Sequence, residues 1–148
     1  MLTLSPPIWA MTYLALAAGA SWALGWPEMA LPHHELVGMV IFFAGWIAPV
    51  WAFRMFRVAG TELDPVSESN RVLVTTGPFR LSRNPMYLGL TVATFGMALW
   101  AGWWPMLAAP IALFVTANWA HVPYEEAKMR RQFGAEFDTY ASRVRRWI

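Results

Sequence analysis

The feature that most restricts how this chain can fold is a stretch of 37 residues, 84–120, without a single Asp, Glu, Lys, Arg or His. A helix rises about 1.5 Å per residue, so about 20 apolar residues cross a hydrocarbon core of ~30 Å. The stretch is nearly twice that long, and Gly102-Trp103-Trp104-Pro105 near its middle is typical of a turn at a membrane interface. The sequence therefore predicts a helical hairpin that crosses a membrane twice, over about 85–101 and 104–120.

Two further uncharged stretches, residues 1–27 and 36–53, predict two more membrane-spanning helices, over about 7–26 and 36–56. No basic residue precedes the first stretch, so we expect a retained span there rather than a cleaved signal peptide. Charged residues make up only 14% of the chain, below the fraction of about a quarter that is usual in soluble domains. We therefore expect a single domain, residues 1–148, of the all-α integral membrane class, with four transmembrane helices and C-terminal amphipathic cytoplasmic helices.

The basic residues predict the orientation of these helices. All eleven Lys and Arg fall on one side of the four predicted spans: Arg54, Arg57, Arg71, Arg80, Arg83, Lys128, Arg130, Arg131, Arg143, Arg145 and Arg146. The opposite side carries Glu28 and Glu35 but no Lys or Arg. The positive-inside rule then predicts that both termini and the loop 57–84 are cytoplasmic, at the inner membrane if the protein is bacterial.

The C-terminal segment 123–148 is predicted to form amphipathic helices on the cytoplasmic face. Apolar residues recur there at steps of three and four, as on one face of a helix: Met129, Phe133, Phe137, Tyr140 and Val144. Gly134 is expected to end the first of these helices. Charged residues on the other faces are typical of helices that lie on a membrane surface, where lipids are the partners.

The predicted cytoplasmic loop 57–84 is too long for a simple connection between helices, which favours a functional role. Turn residues flank a short apolar run, Val72-Leu73-Val74, that is strand-like in composition. At the end of the loop, Asn84 followed by Pro85 predicts the start of the third span, with Asn84 as its N-cap.

Polar side chains occur at both cytoplasmic ends of the predicted hairpin. They are Arg80, Arg83, Asn84 and Tyr87 at its start, and His121, Glu125 and Glu126 at its end. Because helices joined by a short turn are neighbours, we expect these groups to converge in one pocket at the inner interface. Such a pocket suits a zwitterionic cofactor from the cytosol and an apolar substrate from the bilayer, and polar residues at this depth are functional candidates.

Other kinds of site have no support in the sequence. No glycine-rich phosphate-binding motif occurs, and a chain without Cys has no thiolate nucleophile. His33 and His34 are adjacent in the predicted outer loop, where we expect solvated side chains rather than metal ligands. We therefore expect no metal site and no nucleic-acid partner.

The segment 73–89, LVTTGPFRLSRNPMYLG, resembles the signature of a family of integral-membrane methyltransferases, the isoprenylcysteine carboxyl methyltransferase and phospholipid N-methyltransferase group. A second block is similar too: Glu125-Glu126, Phe133-Gly134, Glu136-Phe137, Tyr140 and Arg143. With the hairpin between them, the two blocks cover about residues 61–146.

This resemblance implies S-adenosylmethionine as the methyl donor and a lipidic or small apolar molecule as the methyl acceptor. It implies donor contacts by Arg71, Val72, Leu73, Val74, Phe79, Asn84, Pro85, Met86, Tyr87 and Glu125. A carboxylate such as Glu125 suits the ammonium group of the donor, and an Arg suits its carboxylate.

Three residues are candidates for catalytic roles: Arg83 would organise the site, and Glu126 or His121 would accept a proton. A carboxylate acceptor needs no base, whereas an amine must first lose a proton, for which Tyr87 is a further candidate. The carboxyl methyltransferases have His where this chain has Asn84 and Arg where it has His121. The acceptor therefore stays open among a lipidic carboxylate, an aminophospholipid head group, and a small apolar amine or thiol.

Two other functions stay open at the level of the sequence. Membrane sterol and steroid reductases, which use a nicotinamide cofactor, resemble this chain around Arg83 and Tyr87. A non-enzymatic membrane scaffold would need the same helices without any chemistry. Either kind of protein, like a methyltransferase, can form oligomers through apolar outer faces.

Overall fold

The computed structural model describes residues 5–60 and 72–148, and these two ranges are helical, without a β-strand. The α-helices are α1 (Pro6–Ala23), α2 (His34–Gly45), α3 (Ile47–Ala59), α4 (Pro85–Ala101), α5 (Ala108–Thr116), α6 (Val122–Phe133) and α7 (Ala135–Arg143). Short 3₁₀ turns occupy Gly77–Arg80 and Trp104–Leu107, and a π-helical turn occupies Ala117–His121. The all-α prediction is confirmed for the described ranges, and the strand-like run at Val72 forms no strand.

Two helical stretches are long and apolar enough to cross a membrane. The first is His34–Ala59, 26 residues with a mean hydropathy of 2.0 in its 18-residue window, and the second is Trp104–Phe133, 30 residues with a mean hydropathy of 1.3 in its 18-residue window. Helix α4 is apolar but shorter, at 17 residues. These helices agree with a membrane protein, whereas the full set of four crossings stays a prediction.

The second stretch differs from the sequence prediction because it does not stop near residue 120. The π-helical turn Ala117–His121 joins α5 directly to α6. Pro123, at the start of α6, has no N–H to donate and its ring would crowd a regular preceding turn. The wider π turn lets the helix pass this proline without breaking.

Helices α2 and α4 form the most extensive helix pair, and glycine makes their close approach possible. A Cβ atom added to Gly38, Gly45 or Gly96 would lie 2.2–2.3 Å from backbone atoms of the other helix. At Gly89 it would lie 2.3 Å from the ring of Pro49. The two backbones therefore touch, as in membrane helix pairs that associate through small residues. This crossing holds the start of α4, and hence Asn84, in a fixed position.

The hairpin between α4 and α5 is confirmed. Gly102, with a φ of 74°, ends α4, and its carbonyl accepts a 2.7 Å hydrogen bond from the Met29 N–H. Trp26 packs on Trp103 with ring centroids 4.4 Å apart, so the loop after α1 covers the turn. The side chain of His34 also packs there, with Nδ1 3.0 Å from the Leu99 carbonyl oxygen, so the prediction of a solvated loop residue is wrong for His34.

Candidate active site

The two blocks of the sequence signature meet at the hairpin end that lies away from Gly102. Tyr87, in the first turn of α4, is 5% exposed, and its hydroxyl donates a 2.6 Å hydrogen bond to Oε1 of Glu125 on α6. Pro85 starts α4 as predicted, which directs Tyr87 toward α6. The structure therefore brings Tyr87 and Glu125 together as expected, whereas Arg80 lines a different cleft.

Glu126 lies beside this pair and holds two guanidinium groups. Its Oε1 accepts hydrogen bonds from Nε and Nη2 of Arg83 at 3.1 and 2.8 Å, and its Oε2 accepts one from Nη2 of Arg146 at 2.7 Å. Only 15% of the Arg83 side chain and 13% of the Glu126 side chain is exposed. Charge-assisted bonds from two arginines keep Glu126 ionised, which favours a positioning role over proton uptake.

Arg83 also fastens the chain that follows α7. Its Nη1 donates to the carbonyl oxygens of Ala141 at 3.0 Å and Val144 at 2.6 Å, and its backbone N–H donates to Arg145 at 2.9 Å. The guanidinium is therefore engaged by Glu126 and two carbonyl groups. Through these contacts Arg83 holds the protein's own C-terminal segment in place, and its organising role at the site stays a prediction.

The segment 144–148 closes the site and contains contacts that the sequence analysis missed. The carbonyl oxygen of Arg146 accepts bonds of 3.1 Å from the Ser82 hydroxyl and from Nδ2 of Asn84. The Asn84 amide thus binds the C-terminal segment and makes no side-chain cap bond to α4, contrary to prediction. Trp147 packs on Phe114, with ring centroids 4.9 Å apart. A basic, aromatic sequence after an amphipathic helix is the only sequence indication of these contacts.

His121 lies between Tyr87 and α1. Its ring stacks on Tyr87 and meets the edge of Trp9, with centroids 5.9 Å apart in both pairs. His121 is 5% exposed, and its Nε2 has no hydrogen-bond partner among the described residues. The same holds for Nε1 of Trp9, a residue of α1.

The remaining candidate donor contacts lie near the 3₁₀ turn and at the start of α4. Phe79 is 7% exposed, packs on Phe56 with centroids 5.2 Å apart, and its carbonyl accepts a 2.7 Å bond from the Tyr140 hydroxyl. Met86 is partly buried at the start of α4, and Val72, Leu73 and Val74 precede the 3₁₀ turn, with Val72 49% exposed. Arg71 lies outside the described residues.

A cleft of about 500 Å³ lies between the 3₁₀ turn and α7. It is lined by Thr75, Arg80, Glu136, Thr139, Tyr140, Arg143 and Val144. Burial raises the pKa of Tyr140 to about 12, although the Arg83 guanidinium nearby acts in the opposite direction, so the phenol stays protonated. Neither Tyr87 nor Glu125 lines this cleft.

The residues around Tyr87 fit a small zwitterionic cofactor better than a metal ion. The described residues hold no cluster of three or more His, Asp or Glu that could bind a metal. A partly buried carboxylate at Glu125 suits an ammonium group, and the rings of Tyr87, His121 and Phe79 offer apolar faces for a heterocycle.

Part of this chain is similar to known proteins. The model of the family described as phospholipid methyltransferase matches residues 34–136. The probable protein-S-isoprenylcysteine O-methyltransferase of Oryza sativa subsp. indica is 34% identical over 83 residues, which cover 52% of this chain and 40% of that protein. Protein-S-isoprenylcysteine O-methyltransferase B of Arabidopsis thaliana is 31% identical over 83 residues, or 52% of this chain and 39% of that protein. The similarity thus spans about two fifths of these relatives, and no solved structure matches significantly.

Proposed function

Because the chain belongs to the phospholipid methyltransferase family, we propose that it transfers a methyl group from S-adenosylmethionine to a lipidic or apolar acceptor. The observation that carries the proposal is the 2.6 Å hydrogen bond between Tyr87 and Glu125, which joins the two blocks that resemble methyltransferases. The names of the plant relatives, both isoprenylcysteine O-methyltransferases, support an acceptor with an apolar chain.

The proposed enzyme works at the cytoplasmic interface of a membrane that it crosses four times. The two long apolar helices support the crossings over about 36–56 and 104–120, and the shorter α4 supports the one over about 85–101. The uncharged residues 1–27 support the first crossing, over about 7–26. All eleven basic residues then fall on the side of Tyr87, which supports a cytoplasmic site. This position lets a polar donor arrive from the cytosol and an acceptor arrive from the lipid.

Glu125 is the proposed partner of the donor's ammonium group. The Tyr87 hydroxyl fixes one of its oxygens, so that the carboxylate has a defined orientation before a ligand arrives. We propose that Asn84, Pro85 and Met86 form the wall beside it. The family resemblance implies that Arg71–Val74 and Phe79 complete the donor site.

S-adenosylmethionine supplies an electrophilic methyl group when it is bound. The protein's task is then to align the acceptor with this group and to exclude water. The C-terminal segment, held by Arg83 and Glu126, covers the start of α4 and limits access of water there. For an amine acceptor, His121 is a better proposed base than Glu126, because Glu126 holds two arginines.

Calorimetric titration of the purified protein with S-adenosylmethionine tests the proposal. We expect saturable binding by the wild type, at least tenfold weaker binding by Glu125→Ala, and unchanged binding by Glu35→Ala, an exposed residue at the opposite end of the bundle. Native membranes incubated with isotopically labelled donor should then yield a labelled acceptor. Binding of a nicotinamide cofactor in place of S-adenosylmethionine would overturn the proposal in favour of a reductase, and binding of neither would favour a scaffold.

A further inference from the structure

Two polar nitrogens are buried next to each other without a hydrogen bond. Nε1 of Trp9 and Nε2 of His121 both lack a partner among the described residues, so they do not bond to each other either. Buried polar groups nearly always find a partner, and an unpaired one is costly where little water is present. An unpartnered pair at one place therefore calls for a ligand.

The aromatic rings on either side of this pair do have hydrogen-bond partners. Tyr13, Trp9, His121 and Tyr87 form a row of rings with successive centroids 5.8, 5.9 and 5.9 Å apart. At one end of the row the Tyr13 hydroxyl lies 2.6 Å from the Thr116 hydroxyl. At the other end Tyr87 bonds to its carboxylate partner on α6. The two middle rings, Trp9 and His121, therefore carry polar atoms without a partner, between two tyrosines that have one.

The backbone places His121 in this row by an unusual turn. His121 is the last residue of the π-helical turn Ala117–His121, which precedes Pro123. Single π turns within α-helices are frequent at functional sites because they redirect a side chain at little cost to the helix. Trp9 comes from α1 and thus adds a third helix to the site formed by α4 and α6.

The chemistry of the two rings restricts what they bind. An indole N–H only donates, so the group that faces Trp9 must carry a lone pair, and an alkylammonium group is unsuitable. The imidazole Nε2 donates in one tautomer and in the charged form. Two adjacent donors among aromatic rings suit an oxygen anion attached to an apolar chain.

We propose that Trp9 Nε1 and His121 Nε2 bind an anionic oxygen of the methyl acceptor's head group, which makes Trp9 a specificity-determining residue. This inference rests on the proposed methyltransferase function. Trp9 lies outside residues 34–136, so the family match says nothing about it. The oxygen can belong to a carboxylate or to a phosphodiester, and the experiment separates these two sources.

The test follows the indole N–H resonances of the full-length protein in an uncharged maltoside detergent, with isotopically labelled indole nitrogens. The resonance that disappears in Trp9→Phe identifies Trp9. The protein is titrated with N-acetyl-S-prenylcysteine, with lyso-phosphatidylethanolamine and with dodecylamine. We expect a saturable downfield shift of the Trp9 resonance with one or both oxygen anions and none with the amine, while Trp22, a 71% exposed residue of the same helix, does not shift.

Kinetics give a second readout with the same variants. Loss of one hydrogen bond predicts that Trp9→Phe raises the KM for the acceptor about tenfold, with donor binding unchanged, whereas Trp22→Phe changes neither. A Trp9 resonance that ignores both anions, in a protein that binds S-adenosylmethionine normally, would overturn this inference alone. Failure of the wild type to bind S-adenosylmethionine would overturn the methyltransferase proposal, and this one with it.

Discussion

The hydroxyl of Tyr87 in α4 donates a 2.6 Å hydrogen bond to Oε1 of Glu125 in α6, a residue 38 positions later in the sequence. One residue further along α6, Glu126 points to Arg83 and Arg146 instead. Neighbouring carboxylates on a helix point about 100° apart, since a turn holds 3.6 residues. The two glutamates therefore have different roles: Glu125 faces the proposed donor site, and Glu126 binds the arginines that hold the C-terminal segment.

Tyr87→Phe is expected to weaken both stability and donor binding. The change removes the donor that fixes Glu125 and leaves a partly buried carboxylate without it, which typically costs about 1–3 kcal/mol of unfolding free energy. Thermal or chemical unfolding in detergent and calorimetry with S-adenosylmethionine measure the two effects. Tyr124→Phe is the matched control, because Tyr124 is 43% exposed beside the same carboxylate and should leave both quantities unchanged.

Arg83→Lys is expected to destabilise the protein despite the conserved charge. A lysine ammonium cannot bind one carboxylate and two carbonyl oxygens in the planar arrangement that Arg83 uses. We expect the free energy of unfolding to fall by about 2–3 kcal/mol. This is less than the cost of removing one charge of a buried ion pair, because lysine keeps the positive charge.

Hydrogen exchange at residues 144–147 should rise in the same Arg83→Lys variant, because its side chain holds that segment. The control is Arg130→Lys, in the Arg130–Asp138 pair whose two side chains are each 56% exposed, where little change is expected. Equal effects of the two substitutions would contradict the positioning role of Arg83.

Tyr140 makes the protein sensitive to alkaline pH. Its pKa is raised by burial to about 12 in the folded state, from 10.0 in its ordinary state, so the stabilisation is complete below about pH 10 and is lost as the pH rises toward 12. Because the side chain keeps part of its surface in solvent, we expect at most about 2 kcal/mol from this source.

Tyr140→Phe tests the origin of this sensitivity. The variant loses the hydrogen bond to the Phe79 carbonyl, so it should be less stable at neutral pH, but its stability should fall less between pH 10 and 12. When tyrosine ionisation is followed by absorbance, the variant should show one fewer tyrosine that ionises at high pH. An alkaline transition identical to that of the wild type would show that another group causes it.

Gly96→Ala is expected to separate α2 from α4. The added Cβ would lie 2.2 Å from the backbone nitrogen of Phe42, and backbone atoms cannot move aside as a flexible side chain can. Overpacking of this kind typically costs about 1–3 kcal/mol, visible as a lower Tm in detergent. Gly19→Ala is the control: no atom lies within 4 Å of its added Cβ, so helix propensity predicts a small stabilisation, below about 1 kcal/mol. A lower Tm for both variants would argue against a specific contact at Gly96.

The sequence predicts the hairpin and the meeting of Tyr87 with Glu125 because both follow from short-range rules. An uncharged stretch of 37 residues with a central Gly-Trp-Trp-Pro turn has few alternatives to a helical hairpin, and the hairpin fixes which ends are neighbours. The helix start at Pro85 and the helix end at Gly134, with a φ of 52°, follow from local backbone preferences.

Other features depend on tertiary packing and are not readable from local patterns. Trp147 donates a 3.0 Å bond to Asn118, and Arg146 reaches Glu126, only because the chain turns back after α7. The glycines of the α2–α4 crossing recur at seven-residue spacing within apolar runs, at Gly38 and Gly45 and again at Gly89 and Gly96. That spacing was visible in the sequence, but it identifies neither the partner helix nor the distance of approach.

The contact of Trp9 with His121 has a consequence for how acceptor choice can diverge among relatives. Helix α1 touches the site but precedes the segment 34–136 that the family shares. The family match therefore places no constraint on the first helix. Grafting the first helix of a relative onto this protein should change which molecule is methylated and leave the affinity for the methyl donor as it was.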